Sequence, residues 1–133
     1  MENRTAPYGA LLLRVALGAV LISHALLKLL VFTLPGAAAF FNSVGFPGWL
    51  AYPVTYGELL AGAALIAGFR VRLVAAVMVL ELLGATSVHL HNGWAFTSKG
   101  GGWEYPLFLA VAAAVVALFG AGAHSLDARR GPV

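Results

Sequence analysis

The stretch from Leu11 to Lys28 constrains the fold more than any other part of the chain. It is apolar enough to cross a bilayer, yet it carries Arg14, His24 and Lys28. A charged side chain at the bilayer centre costs roughly 2.5–3.5 kcal/mol on insertion scales. At about 100° per residue, Lys28 lies about 40° around a helix from both Arg14 and His24, so the three share one side. We expect that side to face other helices rather than lipid.

Composition supports a membrane-embedded fold for the whole chain. The 133 residues are 61% hydrophobic and 10% charged, whereas soluble domains are about 45–50% apolar and about 25% charged. The sequence therefore predicts an all-α integral membrane protein, with residues 1–133 forming one transmembrane domain. A net charge of +3 is too small to suggest nucleic-acid binding, and the absence of cysteine excludes disulfides, thiolate metal sites and thiol redox chemistry on this chain.

Four apolar segments predict four transmembrane helices, over about residues 8–32, 53–69, 73–91 and 103–120. The first is expected to be a retained span rather than a signal peptide, because Arg14 interrupts it and no Ala-x-Ala cleavage site follows. Short connections predict an antiparallel, up-and-down four-helix bundle. A short interfacial helix is expected at residues 37–42, inside the first long loop.

The distribution of cations predicts the orientation. Five arginines fall on one side of the predicted bundle: Arg4, Arg70, Arg72, Arg129 and Arg130. The positive-inside rule then places both termini in the cytoplasm and the two longer loops outside, in a multi-pass protein of the cell's inner membrane.

This topology brings ionisable side chains of all four spans to the outer half of the bundle. The predicted catalytic residues are His24, Lys28, Glu58 and Glu104. The predicted substrate-binding or quinone-binding residues are His24, His89, Tyr56, Trp103 and Tyr105. Together they predict an outward-opening pocket for a flat, partly apolar molecule with polar ends, a description that a quinone fits.

Arg14 lies deeper toward the cytoplasmic side and is expected to be structural. We predict an ion pair between Arg14 and Glu81. The alternatives for Arg14 are the backbone of a neighbouring helix or a side chain that extends to the cytoplasmic interface, and the alternative role for Glu81 is a proton relay. A metal site built from the histidines and Glu58 is conceivable. However, His89 and His91 are two residues apart and point to nearly opposite helix sides, so no metal is predicted.

Several short motifs, in this order, resemble the DoxX family of small bacterial and archaeal four-span membrane proteins. They are Leu12-Leu13-Arg14 with His24 and Lys28, Gly45-Phe46-Pro47, Gly57-Glu58, Gly68-Phe69-Arg70-Val71-Arg72-Leu73, His89 before Asn92-Gly93-Trp94, Gly102-Trp103-Glu104-Tyr105, and Ser125-Leu126-Asp127. The resemblance implies association with oxidoreductases, since relatives are named as subunits of a terminal quinol oxidase and of thiosulfate:quinone oxidoreductase. The chain departs from the family at residues 120–124, where a Gly-x-Gly-Arg-aromatic turn is expected.

Three functions remain open from the sequence. The first is a quinone-linked oxidoreductase or a subunit of one, which receives its electrons from a partner subunit or a reductant substrate. The second is a non-catalytic anchor for a partner enzyme, in which buried charges fix the helix register. The third is a small-molecule transporter, which the absence of an evident internal repeat disfavours. All three have the lipid bilayer as a partner and allow a homo-oligomer.

Overall fold

The computed structural model describes residues 3–131, and every regular element in that range is helical. The α-helices are α1 Ala6–Leu26, α2 Leu34–Ser43, α3 Ala51–Ala67, α4 Val71–His89, α5 Glu104–Phe119 and α6 Leu126–Arg129. A π-helical turn, Leu27–Val31, continues α1. Two 3₁₀ turns, Gly48–Leu50 and Leu90–Asn92, lead into α3 and continue α4.

Three of these helices are long and apolar enough to cross a membrane. Counted with their adjoining turns, they are Ala6–Val31, Gly48–Ala67 and Val71–Asn92, with 26, 20 and 22 residues. A spanning helix needs about 20 apolar residues. Helix α5 is equally apolar but has 16 residues. The chain is therefore a multi-pass membrane protein, and the lipid bilayer is its partner.

The long helices pack in two close pairs. Helix α1 lies against α3 and α4 lies against α5, while further contacts join α3 to α4 and α1 to α5. The buried side chains between them are mostly leucine, valine and alanine, with Leu21, Leu65 and Val116 almost completely enclosed. Large apolar side chains such as Leu30, Leu60 and Leu118 lie on the outside, where lipid covers them in a membrane.

The turn between α3 and α4 depends on a residue from the far end of the chain. Helix α3 ends at Gly68 and α4 begins after Arg70, and both residues adopt left-handed backbone conformations, with φ of 76° and 45°. The Asp127 carboxylate accepts hydrogen bonds from the backbone N–H groups of Arg70 and Val71, at 2.7 and 2.9 Å. It thereby satisfies donors at the start of α4 that have no partner within the helix, and stabilises the positive end of the helix dipole.

Candidate functional site

An ion pair joins the end of α1 to the middle of α3. Lys28 Nζ lies 2.5 Å from Glu58 Oε2, and the two side chains are 20% and 4% exposed. Lys28 belongs to the π-helical turn, in which the Phe32 N–H bonds the carbonyl of Leu27, five residues earlier. Such turns are rare and occur frequently at functional sites. Lys28 thus contacts Glu58 from a turn in which the helix is wider than an α-helix.

Glu81 approaches this ion pair from α4. Its side chain lies within hydrogen-bonding reach of the Glu58 carboxyl group and within electrostatic range of Lys28. Its Oε2 atom is buried and has no hydrogen-bond partner among the described residues. Two carboxyl groups therefore face each other beside one lysine.

His24 and Tyr105 complete the group. His24 lies one helical turn before Lys28 and within electrostatic range of both Lys28 and Glu58. Its ring meets the ring of Tyr105 edge-on, with centroids 6.1 Å apart and an angle of 86° between the ring planes. Four helices thus contribute to one set of side chains, which we call the polar cluster: His24, Lys28, Glu58, Glu81 and Tyr105.

An apolar groove of about 710 Å³ adjoins the polar cluster. Its lining residues come from the α4–α5 loop and the first turns of α5: Trp94, Phe96, Glu104, Tyr105, Leu107, Phe108 and Val111. Phe108 and Val111 lie on the exposed side of α5. Tyr105 is the one residue that belongs to both the groove lining and the polar cluster among the described residues.

Hydrogen bonds hold the loop that forms one wall of the groove. Glu104 Oε1 accepts from the Phe96 N–H at 2.9 Å. Asn92 Nδ2 donates to the carbonyls of Gly100 and Gly101 at 3.2 and 2.8 Å, and lies 3.3 Å from His89 Nδ1. The Trp94 and Trp103 rings meet edge-on, with centroids 4.5 Å apart.

Arg14 lies at the other end of the helices and has no exposed surface. Its guanidinium donates to five backbone carbonyls within 3.0 Å, those of Leu65, Ile66, Ala121, Ala123 and His124. Leu65 and Ile66 belong to the last turn of α3, where carbonyls are left with free acceptor capacity, although Leu65 also accepts from the Gly68 N–H at 3.2 Å. A cation there also stabilises the negative end of the helix dipole.

This arrangement corrects the expected ion pair between Arg14 and Glu81. The long side chain of Arg14 reaches toward the end of α3, while Glu81 turns toward Glu58. Of the alternatives that the sequence left open for Arg14, the structure has the backbone as its partner.

The sequence profile of the DoxX family matches residues 9–92, more than half of the chain. The chain belongs to the DoxX family. A curated relative from Bacillus subtilis (strain 168), named "Putative oxidoreductase CatD", is 35% identical over 83 residues, which are 62% of this chain and 60% of the relative. The chain thus spans about 60% of that relative's length. No solved structure matches the chain.

The DoxX profile covers only part of the site. It includes four members of the polar cluster, His24, Lys28, Glu58 and Glu81, all from α1, α3 and α4. Tyr105 and the other residues that line the groove lie on α5 and in the preceding loop, beyond the matched range.

Not every predicted site residue of this DoxX protein reaches the polar cluster. His24, Lys28, Glu58 and Tyr105 come together, and Glu81 joins them without having been predicted as a neighbour. Glu104 and Trp103 adjoin the groove, while His89 contacts the loop through Asn92. Tyr56 is 48% exposed and lines neither the groove nor the polar cluster. Within residues 3–131, no three His, Asp or Glu side chains converge closely enough to hold one metal ion.

Sequence reasoning missed the link between Glu58 and Glu81 for a physical reason. Helical spacing predicts which residues of one helix share a side, but it does not determine which sides of two helices meet. The signal that could have found Glu81 is its similar depth to Glu58, since ionisable side chains within spans pair with one another.

Proposed function

We propose that this DoxX-family chain is the quinone-binding component of a membrane oxidoreductase, located in the cell's inner membrane. The observation that carries the proposal is the position of Tyr105, which joins a lipid-facing apolar groove to a cluster of ionisable groups. The name of the relative CatD adds support from an independent direction, since it refers to oxidoreductase activity.

The proposal includes a membrane topology. Helix α5 also crosses the membrane, giving an antiparallel four-helix bundle with both termini in the cytoplasm. Support comes from the arginines near the termini and the α3–α4 turn, which the positive-inside rule assigns to the cytoplasmic side. The polar cluster then lies in the outer half of the bundle.

The groove has the properties that a quinone ring requires. Its walls are aromatic and aliphatic, and its opening faces the region that lipid occupies, so a lipid-soluble molecule enters without crossing water. Aromatic rings favour edge-to-face and offset contacts with a flat ring. His24 contacts Tyr105, Lys28 follows His24 by one helical turn, and both offer N–H donors for the oxygen atoms of such a ring.

A bound quinone supplies the acceptor for two electrons and two protons. The electrons come from a reduced partner subunit of the same complex. Lys28 and His24 would hold a ring oxygen by hydrogen bonds, and Glu58 and Glu81 would be the residues that supply or take up protons there. Glu104, at the outer end of the groove, connects the site to the external solvent. The apolar walls exclude water, which strengthens each of these polar contacts.

Quinone affinity tests the proposal. The purified protein is placed in lipid nanodiscs and titrated with a short-chain quinone, using quenching of the Trp94 and Trp103 fluorescence as the signal. Tyr105→Ala removes a groove wall, and His24→Ala removes a donor. Each is expected to weaken binding by roughly tenfold or more, because a hydrogen bond or ring contact of this kind contributes about 1.5 kcal/mol.

Matched variants lie away from the groove. Tyr8→Ala makes the same change at the start of α1, and His91→Ala makes it on an exposed turn. Both should bind quinone as the wild type does. Unchanged affinity in Tyr105→Ala and His24→Ala would refute the proposal. Recovery of a stoichiometric partner whose activity survives these two changes would favour the anchor role instead.

A further inference from the structure

We propose that Glu58 and Glu81 hold a single proton between them, and that Glu81 carries it. This shared proton is present in the ligand-free protein and does not depend on the proposed quinone function. The geometry behind it is the approach of the two carboxyl groups across the contact between α3 and α4.

Within the described part of the chain, the side chains around the pair supply one cation, Lys28, which balances the charge of only one carboxylate. Helix α1 presents Lys28 and His24 to it, and α5 presents Tyr105. Glu104, also on α5, has one oxygen bonded to the Phe96 N–H in the loop. Lys28 is bonded to Glu58. Two carboxylates close together beside one lysine would leave a net negative charge at membrane depth. Two carboxyl groups so close together do not both ionise.

The buried atom without a partner identifies Glu81 as the carrier. Glu81 Oε2 is enclosed and accepts no hydrogen bond from the described residues, whereas Glu58 Oε2 accepts one from Lys28. An ionised oxygen left unpaired in an apolar interior costs far more than a neutral one. A proton on Glu81 removes that charge and supplies the donor that a hydrogen bond to Glu58 needs. The cluster is then electroneutral when His24 is neutral.

The shared proton determines when the site can release a proton. A proton that leaves Glu81 exposes a second carboxylate to Glu58, so release is favoured only when positive charge arrives nearby or when an acceptor takes up the proton. In the proposed function this is one of the two protons that quinone reduction consumes. The electrons for that step come from the reduced partner subunit named above.

Infrared spectroscopy tests the proton directly, without quinone. The C=O stretching band of a protonated carboxyl group is recorded for the protein in lipid at neutral pH and is assigned by its shift in D₂O. The wild type should show one such band. Glu81→Gln and Glu58→Gln should each abolish it, because the remaining carboxylate pairs with Lys28. Lys28→Met should increase it about twofold, because both acids then become neutral.

Glu104→Gln serves as the matched control, since the same change in another acidic residue of a helix should leave the band intact. Elution as a single symmetric species in detergent establishes that each variant is folded. The absence of the band in the folded wild type would overturn the proposal. Persistence of the full band in folded Glu58→Gln would also overturn it, because Glu81 would then be neutral through burial alone and would share nothing with Glu58.

Discussion

Gly18 of α1 and Gly62 of α3 face each other across the contact between the two helices, each close to the backbone of the other. A Cβ atom at Gly62 would lie 2.6 Å from the Gly18 carbonyl oxygen, and one at Gly18 would lie 2.7 Å from the Gly62 carbonyl oxygen. Without side chains at these positions the helix axes approach closely, as small residues allow in membrane proteins. This contact sets the separation of α1 and α3, and therefore the distance over which Lys28 must reach Glu58.

Gly62→Ala is expected to push the two helices apart and to lower the free energy of unfolding by about 1–3 kcal/mol, the usual cost of overpacking. Titration with SDS of the protein in mixed micelles measures this free energy. Gly57→Ala makes the same change on the same helix at a position with no atom within 4 Å of the added Cβ. It should leave stability unchanged or slightly raised, because alanine is the better helix former. Equal losses in the two variants would contradict the assigned contact.

Arg14→Lys should destabilise the protein although it retains the charge. Lysine offers a compact ammonium group in place of a planar fork, so it cannot reach carbonyls of both α3 and the 121–124 turn. Loss of two or more charge-assisted hydrogen bonds corresponds to about 3 kcal/mol. Scanning fluorimetry should show a lower unfolding temperature. The control Arg4→Lys, on the exposed N-terminal segment, should leave the unfolding temperature unchanged. An unchanged unfolding temperature in Arg14→Lys would show that these carbonyl contacts are dispensable.

Substitution of Asp127 should weaken the start of α4 in a graded manner. Asn keeps one side-chain acceptor for the Arg70 and Val71 N–H groups, whereas Ala keeps none. We expect a loss of about 1 kcal/mol for Asp127→Asn and about 2 kcal/mol for Asp127→Ala, typical of capping residues. Thermal unfolding measured by circular dichroism distinguishes the two. Identical behaviour of both variants and the wild type would mean that the C-terminal segment does not cap α4.

The membrane class and the helical nature of the chain were predictable because they depend on composition and on short-range order. Apolar runs bounded by Pro-Gly, Gly-Phe-Arg and glycine-rich segments mark helix ends through local backbone preferences. The short helix expected at residues 37–42 is part of α2, Leu34–Ser43. Such features require no knowledge of how the helices pack.

The site was predictable only in part, because its remaining members depend on packing. Polar residues at similar depth placed His24, Lys28 and Glu58 in one group, and the structure brings these three together. The π-helical turn at Lys28 and the meeting of α3 with α4 at Glu81 arise from the fit between helices. The partners of Arg14 are backbone carbonyls, which every residue possesses, so no sequence pattern distinguishes them.

The α4–α5 loop offers a prediction about motion, because the Asn92 side chain holds its glycine-rich part. Asn92→Ala removes the donors to the Gly100 and Gly101 carbonyls, and the glycines there have no side chains to hold the backbone. We expect faster hydrogen–deuterium exchange across residues 93–103, measured by mass spectrometry.

Asn42→Ala is the matched control in the other long loop, where Asn42 Oδ1 accepts from the Gly48 N–H at 2.9 Å. That variant should accelerate exchange near Gly48 and leave residues 93–103 unchanged. Because the tied loop forms one wall of the groove, Asn92→Ala should also weaken binding of a groove ligand through a faster dissociation rate. Slow exchange in residues 93–103 of Asn92→Ala would instead show that the Trp94–Trp103 contact and the Glu104 hydrogen bond keep the loop rigid.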